Sequence, residues 1–223
     1  MESLKEGAEA ERKFSIDVER LGEPVRSRKV EALIAQVGEV NRVYGGMKVT
    51  VPDGALAGQL ELGSTGRLQA WQAGDEYVVR VARHNAIQCA LTLSDSGRIG
   101  SSWGFDFWPL FDGVGHMVEN IAMWNSLRGW RFAALFRGEP QRVLGLLDDG
   151  SLQLDLVASG SLAQWWVSDD YALSVERFLN PGYGDVPQVS VLARTRLLAL
   201  DAQSRMEELG FGGSGLHRVV GGQ

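Results

Sequence analysis

Three polar side chains have types and spacing that could do chemistry: Asp112, His116 and Glu119, in the stretch Phe111–Asn120. Placed on a helix, Asp112 and His116 are four apart, and His116 and Glu119 three apart, so they can share a face. A carboxylate beside an imidazole can move protons, and a histidine with two carboxylates can begin a metal site. No second cluster supplies further ligands, so no metal and no cofactor is expected, and a solvent-facing pair on the helix accounts for His116 and Glu119. His84 falls at a strand end and His217 in the C-terminal tail. The carboxylate pairs Asp148-Asp149 and Asp169-Asp170 have structural uses, the first in a turn and the second as a helix cap. Cys89 is the only cysteine. It alternates with apolar neighbours in AIQCALTL and is expected to face the core of a strand. Gly113-Val114-Gly115 begins like a dinucleotide fingerprint, but Val118 stands where the third glycine belongs. No nucleophile elbow, phosphate-binding loop, HExxH or calcium loop is present. The balance leans away from an enzyme.

The helix carrying those polar residues follows the densest aromatic stretch of the chain. Trp103 to Trp130 holds four of the seven tryptophans and three of the eight phenylalanines. Such side chains bury large areas, and the core is expected to close there. From Val114 the apolar residues fall at Met117, Val118, Ile121 and Trp124, the steps of one helix face, and Gly129 ends the pattern. An alternative pocket for a small ligand or an enzyme's substrate would lie beside this helix, 113–127, near Asp112, His116 and Glu119.

On either side the sequence alternates with period two. Lys48–Val51, Leu60 and Leu62, Arg67–Gln72, Glu76–Arg83 and Ile87–Leu93 read as strands divided by Gly and Asp turns. Beyond the helix, Arg131–Arg137 alternates, and Gln141–Leu147 with Ser151–Val157 reads as a hairpin about Asp148-Asp149-Gly150. Ala163–Val167 adds a strand. Ser168-Asp169-Asp170 would cap a short helix with Ala172, Val175 and Phe178, and residues 190–209 read as a long amphipathic helix. An earlier helix over 28–37, capped by Ser27, would bury Val30, Leu33, Ile34 and Val37. The fold class expected is α+β: one twisted antiparallel sheet of eight or more strands with helices packed on one face. The length suits a single domain, with a polar N-terminal arm over 1–13 and a mobile Gly-rich tail over 210–223.

Net charge is −6. That disfavours a broad phosphate-backbone interface, hence no nucleic acid, and suits a basic protein partner. No apolar run reaches the length of a membrane span, and the first residues lack a signal peptide's apolar middle, so a cytoplasmic location is expected. Tryptophan is a frequent interface anchor, and Trp71, Trp165 and Trp166 stand out. Trp165 and Trp166 are adjacent on a strand and must point to opposite faces. With Asp169 and Asp170 they form the expected partner-binding set.

The segment VLGLLDDGSLQLDLVASGSLAQWWVSDDYALSVERFL resembles the closing part of SUKH-superfamily proteins, through the cadence Ser174-Val175-Glu176-Arg177-Phe178-Leu179. SDSGRIGSSWGFDFWPLFDGVGHMVEN has a similar order of turn, strand and helix. The resemblance implies an α+β fold and a bacterial immunity protein that binds and occludes a toxin without catalysis. The partner would then be a basic toxin domain.

Overall fold

The computed structural model describes residues 28–63, 70–84, 90–103, 106–147 and 150–208. The polar arm 1–13, Ser27, Cys89, Asp148-Asp149, and the tail 210–223 with His217 lie outside these residues. The chain divides into two compact units, Met1–Val51 with Leu56–Met117, and Pro52–Ala55 with Val118–Gln223. The α+β class holds. In place of one large sheet, however, the strands among the described residues form two antiparallel sheets of seven and five.

In the first unit, helix α1 (Arg28–Tyr44) is followed by strands β1 (Lys48–Val51), β2 (Gly58–Leu62), β3 (Ala70–Ala73), β4 (Glu76–His84), β5 (Ala90–Ser94), β6 (Ile99–Trp103) and β7 (Asp106–Phe111). The order across the sheet is β1-β2-β4-β5-β6-β7, with β3 also paired to β4. Helix α1 runs past Gly38, because Val40 continues the buried series Val30, Leu33 and Val37 against β4 and β5. Ile34, expected on that face, is largely exposed. Strand β5 is buried at every position, so both of its faces are covered. Gly100 sits at a register shift between β6 and β7, where a Cβ would lie 2.2 Å from the Trp108 carbonyl oxygen.

The second unit begins within helix α2 (Val114–Ser126), which starts and ends close to the sequence reading. Its elements are β8 (Arg131–Arg137), α3 (Pro140–Leu147), β9 (Gln153–Leu154), β10 (Ala163–Val167), β11 (Tyr171–Glu176), β12 (Gln188–Ala193) and α4 (Arg196–Met206), with sheet order β8-β12-β11-β10-β9.

Here the structure corrects the sequence reading three times. Residues 141–147 form α3, not a hairpin strand. Pro140 at its first position needs no N–H partner, and Val143 and Leu147, four apart, are buried together. The expected helix over 172–179 is strand β11, because its residues pair with β10 on one side and β12 on the other. Ser168 does not cap a helix. Its Oγ accepts from the Tyr171 amide at 3.0 Å and closes the β10–β11 turn. The long helix expected over 190–209 is divided into β12 and the shorter α4, whose start Thr195 caps by accepting from the Leu198 amide.

Helices α3 and α4 cover one face of this sheet. Phe136, Leu173, Val175, Val189 and Val191 pack there with Val143, Leu147, Ala202 and Met206. Trp166 packs against the same cluster, whereas Trp165, on the opposite face, meets Trp124 of α2 edge-on with ring centroids 4.9 Å apart. Helices therefore meet both faces of this sheet.

Candidate functional site

Asp112 and His116 come together as their spacing predicts, with Oδ2 3.7 Å from Nδ1. The Asp112 amide also points at Nδ1 from 3.4 Å, and the ring stands edge-on to Phe111. Glu119 is exposed. No group of three or more metal-capable side chains occurs among the described residues.

The expected anchors separate by environment. Trp165 is fully buried, so it is not an exposed anchor: α2 covers the face it points to. Trp71 is half-buried on β3 opposite Val78, with its indole N–H buried and unpartnered. Trp166 is half-buried, and Asp169 and Asp170 are exposed at the β10–β11 turn.

Trp166 pairs across the strands with Leu154 of β9, the two-residue edge of the sheet. Leu154 is 40% exposed, and beyond it Leu156 and Val157 are 79% and 69% exposed. The loop that presents them is tied down by its own polar groups. Asp155 Oδ1 accepts from the amides of Val157 and Ala158, both at 2.9 Å, and the Asp155 amide donates to the Trp165 carbonyl. Ser159 Oγ accepts from the Trp165 amide at 2.8 Å. An Asx-type loop held in this way fixes its backbone while leaving two large apolar side chains in water. Sequence reading missed this feature because alternation assigned Leu152, Leu154 and Leu156 to one buried strand face. The small residues Ala158-Ser159-Gly160, three positions after Asp155, were the available signal for a loop.

On the α2-covered face lies a second feature the sequence did not reveal. Glu176 is buried at the end of β11. Its Oε1 accepts from Trp124 Nε1 at 3.1 Å and its Oε2 from the Ala55 amide at 2.9 Å. Gly54 makes the second contact possible. It adopts φ +85°, and a Cβ there would lie 2.5 Å from Trp124 Nε1 and 2.7 Å from Glu176 Oε2. Burial pushes the Glu176 carboxyl above the ordinary glutamate range. The Trp124, Ala55 and Asn120 donors oppose that rise, and nearby Asp53 adds to it. Asp53, itself shifted upward by burial, accepts from the Gly54 amide at 2.7 Å. On the β10–β11 strand pair, where Trp165 lies opposite Ser174, Trp165 Nε1 and Ser174 Oγ are buried without hydrogen-bond partners among the described residues. The arrangement clamps the Pro52–Ala55 segment, and it holds a carboxyl proton to higher pH than an exposed glutamate would.

No family model, curated protein or solved structure matches this chain. No helix among the described residues is long and apolar enough to cross a membrane.

Proposed function

We propose that the chain is a non-enzymatic protein-binding module whose contact surface is the β9 edge of the five-stranded sheet. The observation that carries this reading is the hydrogen-bonded loop holding Leu156 and Val157 79% and 69% exposed. Apolar side chains on a fixed loop lose little conformational freedom on binding, which favours association. Leu154 and Trp166 extend the apolar surface along the same edge, and Asp169 and Asp170 supply negative charge at the adjoining turn. With a net charge of −6, the partner is a basic protein, reached by electrostatic steering and held by apolar contact.

The finer reading is immunity-like: occlusion of a toxin's active surface in the cytoplasm. It comes from the SUKH resemblance. The cadence Ser174–Leu179 that suggested this family begins within strand β11 rather than in a helix. The binding reading therefore rests on the exposed loop, and the toxin is a class of partner to try. For the enzyme alternative beside α2, the structure offers the Asp112–His116 pair with Glu119 exposed.

The test is affinity capture from the native host with wild-type protein and a Leu156→Asp/Val157→Asp variant, read by mass spectrometry and repeated with the purified partner. One stoichiometric basic partner, lost in the variant, supports the reading. A partner retained equally by the variant would place the contact elsewhere and sink it.

A further inference from the structure

Between α3, α4 and the β10–β11 turn lies a cleft of about 340 Å³ that shares Asp170 with the proposed binding surface but none of its exposed apolar residues. That volume is at the small end of the range for small-molecule sites. Leu146, Leu147 and Leu198 give it apolar walls, and its polar groups carry both signs of charge.

On the cationic side, Arg205 Nη2 pairs with Asp201 Oδ2 at 2.9 Å. No other group engages the guanidinium among the described residues, so its remaining N–H donors are available to an anion. The Tyr171 hydroxyl donates to the same Asp201 Oδ2 at 3.3 Å, which leaves Oδ1 uncommitted. Burial and the Asp201 charge both push the Tyr171 hydroxyl upward, so it stays protonated as a donor. On the anionic side, the backbone of Asp170 is held by the turn, its amide donating to Ser168 Oγ and its carbonyl accepting from the Arg194 amide. Its carboxylate has no hydrogen bond or salt bridge among the described residues. A fixed backbone thus presents an uncompensated carboxylate to a void that also borders a guanidinium with spare donors and three leucines.

We infer that this cleft binds a small zwitterion with an aliphatic side chain, an α-amino acid of the leucine type. Its ammonium meets Asp170 and Asp201 Oδ1, its carboxylate meets the free N–H groups of Arg205, and its side chain lies against Leu146 and Leu198. A lone cation would face the Arg205 charge, and a lone anion would face two carboxylates. Only a ligand carrying both charges satisfies each side.

The test is titration calorimetry on the full chain with L-leucine, beside two analogues that each lack one charge, isoamylamine and 4-methylpentanoate. Saturable leucine binding is expected in the millimolar range. Either analogue should bind weaker by about threefold to tenfold, the scale of a partly exposed charged pair. Asp170→Asn removes no intramolecular bond, so it should keep the wild-type fold by circular dichroism. It should weaken leucine by a similar factor and leave 4-methylpentanoate no weaker. Leu156→Asp, on the protein-binding surface, should leave leucine binding unchanged, which separates this site from that reading. The inference is overturned by no saturable binding up to about 10 mM, by analogues that bind as tightly as leucine, or by an Asp170→Asn variant that binds leucine as well as wild type.

Discussion

The two sheets bury polar side chains in opposite ways. At the centre of the seven-stranded sheet the buried groups are neutral hydroxyls that satisfy one another. Thr92 Oγ1 and Ser102 Oγ are 3.0 Å apart, and buried Ser94 Oγ lies 2.8 Å from the hydroxyl of Ser96, which is exposed at the β5–β6 turn. Sheet two buries a carboxylate, Glu176, held by N–H donors with no salt bridge to it among the described residues, and leaves Trp165 Nε1 and Ser174 Oγ unpartnered. A neutral hydroxyl network adds stability that does not vary with pH. A buried carboxyl makes stability depend on pH and on the loop that closes over it.

The sharpest way to break the contrast is Gly54→Ala. It places a Cβ 2.5 Å from Trp124 Nε1 on a backbone at φ +85°. Left-handed strain and overpacking together predict a loss of about 2–5 kcal/mol by urea denaturation. Gly74→Ala in the first unit, at φ +60° with nothing within 4 Å of its Cβ, carries the strain alone and should cost about 1–2 kcal/mol. Equal losses would mean that the Glu176–Trp124 clamp is not tight.

Next comes pH. The unfolded chain releases the Glu176 proton near the ordinary value of about 4.3, whereas the fold holds it to higher pH. The native state therefore binds more protons in that window. The carboxyl's contribution is complete below the unfolded value and is lost as pH rises through the folded one. Asp53 acts with the same sign. Urea midpoints followed by tryptophan fluorescence from pH 4 to 9 should fall more steeply in wild type than in Glu176→Gln. Parallel profiles would remove Glu176 as the source.

A smaller effect tests the hydroxyl pair. Thr92→Val should cost about 1 kcal/mol by stranding Ser102. Adding Ser102→Ala should cost less than the sum of the two single changes, and strict additivity would show that the pair is not coupled. The smallest effect belongs to the surface. Leu156→Asp should change stability by no more than about 0.5 kcal/mol, in contrast to its expected effect on partner capture. A large loss would mean that Leu156 is packed rather than presented.

Residues 48–62, 76–84, 90–93 and 114–126 were largely legible in the sequence because their patterns are local. Period two marks β1, β2 and β4 between glycine turns, and steps of three and four mark α2 from Val114 onward. The misread segments are those where two periods compete. VLGLL in α3 is apolar at strand and helix spacings alike, and YALSVE in β11 is buried on both faces, so its alternation disappears. Of the expected site residues, Asp112 and His116 meet as their spacing requires, and Trp165 and Trp166 take the opposite faces that adjacency on a strand demands.

By itself, then, the sequence determined an α+β protein with antiparallel strands, a net negative charge and the α2 helix, because composition and short-range periodicity are properties of neighbouring residues. Only the tertiary structure decided that the strands divide into two sheets, that Trp165 is covered while Leu156 is not, and that Glu176 meets the Ala55 amide. That last contact joins residues 121 positions apart. Its physical basis is the burial of a charge-bearing group against distant N–H donors, and no local pattern encodes which distant donors those are.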